Sequence, residues 1–167
     1  MKNITVMVFI ALAGLVLGPR PASAQIFFVK DPSIGREAKE FTLRSLNGRE
    51  AGLSELREGK KAIVFFWATW CPHCREALAE LDERKEQVRD LGIEVIIIDG
   101  GESEKAVRRY IEKNKIGMDV FLDETSEVAD MYGVIGIPVF YFIGEDGIVR
   151  NVLNSLPQDL ENVFYGG

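Results

Sequence analysis

The chain predicts an α/β fold, one mixed sheet flanked by helices, from three observations. AIVFFWA (residues 62–68), an unbroken apolar run, and IEVIIID (residues 93–99), apolar apart from Glu94 and the closing Asp99, read as strands covered on both faces. The segment between them has helical periodicity, which makes the pair a right-handed parallel crossover. Asn47-Gly48 and Asp146-Gly147 each sit between stretches of strand character, so hairpins add antiparallel strands.

In chain order, residues 41–56 (FTLRSLNGREAGLSEL) alternate apolar and polar residues and form the first hairpin. Strand 62–68 leads to a helix beginning at Cys71 and Cys74, because Cys74, Leu78, Leu81, Lys85, Val88 and Leu91 recur at helical spacing and Gly92 offers a stop. Lys85 is the polar interruption in that stripe. Strand 93–99 is followed by a helix over 103–114 capped by Ser103. Residues 118–123 are short and extended, and 126–133 form a brief helix. Residues 138–152 read as strand, turn and strand, and a helix over 157–164 ends the chain. No internal repeat or low-complexity tract is visible.

Residues 1–24 set the compartment. One cation at Lys2, an apolar run over residues 4–17 and a small-residue site at Ala22-Ser23-Ala24 have the order of a secretory signal. The 14-residue run is shorter than the roughly 20 residues of a comfortable transmembrane helix, with an uncleaved anchor as the alternative. Cleavage after Ala24 leaves one domain, residues 25–167. Losing Lys2 and Arg20 takes the formal charge from −6 to −8, which argues against a nucleic-acid surface. Export places the protein in the periplasm or another extracytoplasmic space, where disulfides persist.

Both cysteines and the single histidine lie in WATWCPHC, residues 67–74. Three ligands, with His73 between the cysteines, do not make a tetrahedral zinc site, and no metal is expected. Arg75 stands where haem attachment requires histidine. A staple closing so short a loop stabilises weakly. Cys71 sits where a buried strand gives way to a helix, and the unpaired N–H groups there favour a thiolate, the nucleophile of disulfide exchange. Pro72 suits the first helical position. His73 can favour the thiolate as donor or cation, or be solvated. Trp67 reads as core and Trp70 as a rim contact facing a partner.

With these residues in view, the chain resembles the thioredoxin superfamily, most closely its exported TlpA-like and ResA-like branch, over nearly all of residues 35–152. FWATWC and YGVIGIPVFYF carry the resemblance, together with the hairpin at 41–50 and GIEVIIIDGGESEKAVRRYIEKN, which is similar to the branch's strand-helix insertion. The resemblance implies a thioredoxin-like fold and a protein disulfide oxidoreductase. Cys71 would be the exposed attacking thiolate and Cys74 the buried resolving thiol. Pro138 would be the family's cis-proline, lying against the pair and leaving the Ile137 backbone to bond an extended substrate. The cofactor is then the Cys71–Cys74 disulfide itself and nothing else. The partners are protein thiols and disulfides, apocytochromes c among them, and a membrane thiol-disulfide electron donor or acceptor, with the protein a monomer.

Two departures stand out. Thioredoxins carry a buried aspartate six residues before the first cysteine, where this chain has Phe65. Several ResA-like proteins have a glutamate three residues after the second cysteine, where this chain has Ala77. Glu76 lies one step earlier, and one step turns a helical side chain by about 100°. The proton acceptor for Cys74 is therefore open, with Glu76 or a water as candidates. The direction of electron flow is open too, because Pro72-His73 resembles the oxidising DsbA-type site while the scaffold resembles reducers. Lowering the Cys71 pKa from about 8.5 to about 4 favours the reduced form by about 4 kcal/mol at pH 7, or on the order of 90 mV. A TlpA/ResA-like reductant is the leading expectation. A DsbA-like oxidant and a redox-silent binding or chaperone module are the alternatives.

Overall fold

The computed structural model describes residues 31–165, so the signal segment expected at residues 1–24 lies outside the described residues. In chain order the elements are β1 (Thr42–Ser45), β2 (Glu50–Gly52), α1 (Leu53–Arg57), β3 (Lys61–Trp67), α2 (Pro72–Glu83), α3 (Lys85–Asp90), β4 (Ile93–Gly100), α4 (Glu104–Asn114), β5 (Val120–Asp123), α5 (Glu127–Tyr132), β6 (Val139–Ile143) and β7 (Val149–Leu153). A 3₁₀ turn, Asn162–Phe164, follows. The strands form one sheet in the order β2-β1-β5-β4-β3-β6-β7. β3 runs parallel to β4 and β4 to β5, whereas β1, β2, β6 and β7 pair antiparallel to their neighbours. This is the thioredoxin-like mixed sheet the sequence predicts.

Side-chain alternation along β3 explains its unbroken apolar run. Ile63, Phe65 and Trp67 face a layer made by Cys74, Leu78 and Leu81 of α2, Val88 of α3, Val107 of α4 and the carboxy-terminal residues Leu156, Leu160, Val163 and Phe164. Ala62, Val64 and Phe66 face the other layer, built from Leu53 of α1, Val128 and Tyr132 of α5, and Ala38 and Phe41. The strand therefore has no polar side. Phe65 lies opposite Phe140 in the β3–β6 ladder, the two fully buried rings stacked 4.3 Å apart. Replacing Phe65 by alanine is expected to lower the stability of the oxidised protein by about 3–5 kcal/mol in chemical denaturation. A loss below about 1 kcal/mol would mean that the site collapses without a cavity.

The structure departs from the sequence reading in four places. The first hairpin turns at Asn47-Gly48 as expected, with Gly48 at φ +81°, but its second strand is only Glu50–Gly52. Leu53–Arg57 is helical, because the Glu40 carboxylate accepts from both N–H and Oγ of Ser54 and holds the first turn. The helix expected to run from the cysteines to Leu91 breaks at Arg84. The Arg84 guanidinium reaches across to the carbonyls of Pro157 and Gln158 as well as to Glu80, while Lys85 pairs with Asp82.

Ser103 occupies the cap position of α4, yet its side chain makes no cap bond; the Glu124 carboxylate accepts the Glu104 N–H at 2.8 Å instead. The helix expected over 157–164 is reduced to the 3₁₀ turn. Asp159 takes the backbone N–H groups of Glu161 and Asn162 and the Asn162 amide, a local pattern that competes with an α-helix. Among the described residues this tail adds no strand. It seals one face of the sheet through Leu156, Leu160, Val163 and Phe164.

Candidate active site

Strand β3 ends at Trp67, and Ala68, Thr69 and Trp70 carry the chain to Cys71, the N-cap of α2. The turn is closed by the Cys71 N–H donating to Ala68 O at 3.2 Å. Pro72 occupies the first turn of α2, where a missing N–H leaves no bond unmade. Cys71 and Cys74 are joined as a disulfide, their Cα atoms 5.2 Å apart.

The Cys74 N–H donates to Cys71 Sγ at 3.2 Å. An N–H at a helix start, aimed at sulfur, stabilises charge on Cys71 once the bond is reduced. Cys74 is fully buried, and Cys71 keeps only 5 % of its surface exposed. The sequence reading expects a more open Cys71; here the segment before β6 covers it, with Ile137 O 3.8 Å from Cys71 Sγ.

That segment reaches the disulfide through a cis peptide bond between Ile137 and Pro138. Pro138 O accepts from Asn154 Nδ2 at 3.0 Å, which ties the turn to the end of β7. Ile137 precedes the first residue of β6, so its backbone lies outside the sheet ladder. Trp70, 67 % exposed, and Ile135, fully exposed, are two of the large apolar side chains open to solvent. Trp67 is buried, its ring 5.4 Å from that of Tyr110 on α4. His73 and Glu76 are both exposed and face each other at 3.4 Å on the outer side of α2. Cys71, Pro72, Cys74, Ile137 and Pro138 thus converge, Trp70 stands beside them, and the His73 and Glu76 side chains point to solvent.

Two acidic residues near the pair are not singled out by sequence reasoning. Glu102, in the loop between β4 and α4, accepts from the Thr69 N–H at 2.5 Å and from Thr69 Oγ1 at 2.7 Å, so it clasps the loop two residues before Cys71. Asp99, near the end of β4, is fully buried. Neither of its oxygens has a partner in good hydrogen-bond geometry, although the nearby Glu102 backbone N–H favours the ionised form a little, and Trp67 Nε1 is likewise without a partner. Burial, and then the negative field of Glu102, push the Asp99 carboxyl up to about 8. Two ionised carboxylates have no hydrogen to share, but a proton on Asp99 gives it a donor toward Glu102. The available signal was an aspartate closing the mostly apolar strand IEVIIID, which reads equally well as the start of a turn. Among the described residues, no cluster of three or more histidine, cysteine or acidic side chains is arranged to hold a metal ion.

The sequence model of the AhpC/TSA family matches residues 34–152. The thiol-disulfide oxidoreductase ResA of Bacillus thuringiensis subsp. konkukian is 31 % identical over 127 residues, covering 75 % of this chain and 73 % of that protein. ResA of Bacillus subtilis is 31 % identical over 123 residues, covering 74 % and 68 %. Among solved structures, a putative thiol:disulfide interchange protein DsbE from Chlorobium tepidum superposes with a TM-score of 0.71 at 22 % identity, over 79 % of this chain and 95 % of that one. That likeness supports the fold. A cysteine pair bonded at the head of α2, packed against a cis-proline turn, in a chain of this ancestry, leads to one assignment: the protein belongs to the AhpC/TSA family and is a thioredoxin-like thiol-disulfide oxidoreductase related to ResA.

Proposed function

We propose that the protein works outside the cytoplasm as a reductant of protein disulfides, through Cys71 as attacking thiolate and Cys74 as resolving thiol. The observation that carries this reading is the placement of Cys71 Sγ, which takes the Cys74 N–H at the head of α2 and lies 3.8 Å from Ile137 O. A substrate disulfide entering along the cis-proline turn meets Cys71, while Cys74 is buried behind it. In the reduced protein, Cys71 attacks a substrate sulfur and forms a mixed disulfide. Cys74 then attacks Cys71 Sγ, and the substrate leaves as a dithiol, two electrons having passed from the pair. The Cys71–Cys74 pair is the only redox group the reaction needs.

Ile137 offers backbone for an extended segment, and the exposed Trp70 offers an apolar rim for its side chains. His73 and Glu76 form a solvated pair whose charge tunes Cys71 from outside. The signal-like residues 1–24 support an extracytoplasmic site, and a membrane thiol-disulfide donor would return electrons to the pair. The resemblance to the TlpA-like and ResA-like branch makes apocytochromes c the substrates to try first.

The direction of electron flow is tested by equilibrating the protein in glutathione and dithiothreitol buffers and following tryptophan fluorescence. A potential near or below about −250 mV is the expected result for a reductant. A value near about −120 mV would mark an oxidant that donates its disulfide and would overturn the reading.

A further inference from the structure

Breaking the Cys71–Cys74 bond creates a proton problem that the pair cannot solve alone. Cys74 has no exposed surface, so a thiolate left on it is desolvated and must be protonated; when Cys74 attacks in the reverse step, its proton must have somewhere to go. Phe65 and Ala77 carry no ionisable group, and Phe65 is stacked on Phe140. Glu76 is exposed and turned toward His73.

Among the described residues, the buried polar side chains are Ser45, Asp99 and Asp123. Ser45 lies on β1 and accepts the Asn47 N–H at 3.3 Å. Asp123 holds the start of α5, accepting the Val128 and Ala129 N–H groups at 3.2 and 2.8 Å. It shares a face with Phe121, which packs in the layer away from the disulfide, and alternates with Leu122, which belongs to the cysteines' layer. Asp99 differs on both counts. Its carboxyl oxygens make no well-formed hydrogen bond, and sharing a strand face with Ile97 puts it on the side that carries Cys71, Cys74 and Trp67. The register pairs Asp99 with Trp67, the last residue of the strand leading to the cysteines.

We propose that Asp99 is the proton-exchange group for Cys74, giving a proton when the disulfide opens and taking it back when the pair closes. This rests on the exchange reaction set out under Proposed function. In opening, a substrate thiolate attacks Cys71 Sγ, the Cys71–Cys74 bond breaks, its electron pair goes to Cys74 Sγ, and the Asp99 carboxyl proton follows. In closing, the Asp99 carboxylate takes the Cys74 proton, Cys74 attacks Cys71 Sγ, and the substrate leaves as a thiolate. No outside oxidant or reductant enters either step.

The groups set against Asp99 suit the task. Glu102 from the next loop and Asp123 from β5 are both acids and favour its protonated form, so it stands near neutrality rather than fully ionised. Above lie Cys71 at the head of α2, Cys74 within it and Tyr110 of α4, whose phenol burial raises against the weaker lowering by Arg75. Glu102 also clasps Thr69, which joins the acid pair to the loop that positions Cys71.

The test uses reduced protein and 5,5′-dithiobis(2-nitrobenzoate) in stopped flow. The first nitrothiobenzoate is released when Cys71 attacks, and the second when Cys74 resolves the mixed disulfide. In Asp99→Asn the second phase is expected to slow about tenfold or more at pH 7, as for loss of a general base, with the first phase within about twofold. In the unsubstituted protein the second phase should rise with pH and level off around pH 8. Unchanged second-phase rates in Asp99→Asn, or equal slowing of both phases, overturn the proposal. So does an unsubstituted second phase that climbs through pH 8 without levelling, a result that does not depend on whether the variant folds. Absence of the first phase in the unsubstituted protein would instead sink the exchange reaction itself.

Discussion

The protein carrying Cys71→Ser is expected to lose insulin-disulfide reduction entirely, while Cys74→Ser accumulates stoichiometric mixed disulfide with its substrate. The asymmetry comes from the site. Cys71 Sγ faces the Ile137 carbonyl and accepts the Cys74 N–H, so it is the sulfur that holds charge and meets substrate. Cys74 has no exposed surface and reaches only a sulfur already attached to Cys71. A serine hydroxyl at position 71 has neither the nucleophilicity of a thiolate nor the ability to form a disulfide.

Unfolding would not account for the loss. Opening a disulfide between residues three apart costs about 2 kcal/mol or less by chain entropy, which an intact core tolerates. The check is turbidimetric insulin reduction with dithiothreitol as donor, joined to thiol trapping and intact mass of the products. Full activity in Cys71→Ser would remove Cys71 from the mechanism. Mixed disulfide trapped by Cys71→Ser rather than by Cys74→Ser would reverse the two roles.

The parts of the fold legible in the sequence are those where one residue pattern has one physical solution. β3 is apolar on both faces because layers cover it on both sides, and the turn at Gly48 needs a positive φ that Asn47-Gly48 supplies. The cysteine pair and Pro72 are read from thiolate chemistry and helix-start geometry, whereas Pro138 is singled out only through the resemblance carried by YGVIGIPVFYF. The missed features depend on partners far along the chain. Leu53–Arg57 is helical through Glu40, the break after α2 is set by carbonyls at Pro157 and Gln158, and the end of α4 that Ser103 was expected to cap is served by Glu124. Asp99 and Glu102 escaped for the same reason. GGES after an apolar strand looks like a solvated loop until the sheet places Asp99 beside Trp67 and Glu102 against Thr69.

Asp99 also makes a large stability prediction that does not depend on its part in exchange. An ordinary aspartate ionises near 3.9 in an unfolded chain, whereas burial and Glu102 hold the folded carboxyl at about 8. Between those values the folded state binds a proton that the unfolded state has lost, so the slope of stability with pH is negative across the window. The native state is favoured fully below about pH 4, loses stability progressively as pH rises, and levels off above about pH 8. Four units correspond to about 5 kcal/mol, an order-of-magnitude figure for a fully buried group.

Asparagine at position 99 has nearly the same shape and does not titrate. Oxidised Asp99→Asn should therefore match the unsubstituted protein in urea denaturation near pH 4 and exceed it by about 4 kcal/mol at pH 7, with the gap largest above pH 8. The carboxyls of half-buried Glu104 and exposed Asp146 and Asp159, held low by their hydrogen bonds, act in the opposite sense, losing stability as pH falls, but they are common to both proteins and cancel in the comparison. A difference that stays flat from pH 4 to pH 9 would show that Asp99 is not a buried neutral acid. A variant less stable at every pH would show that the carboxyl has a partner that asparagine cannot replace. The expected outcome, a protein that becomes sturdier at neutral pH and slower to resolve its mixed disulfide, would mean that a destabilising acid is kept in the core for the proton it holds.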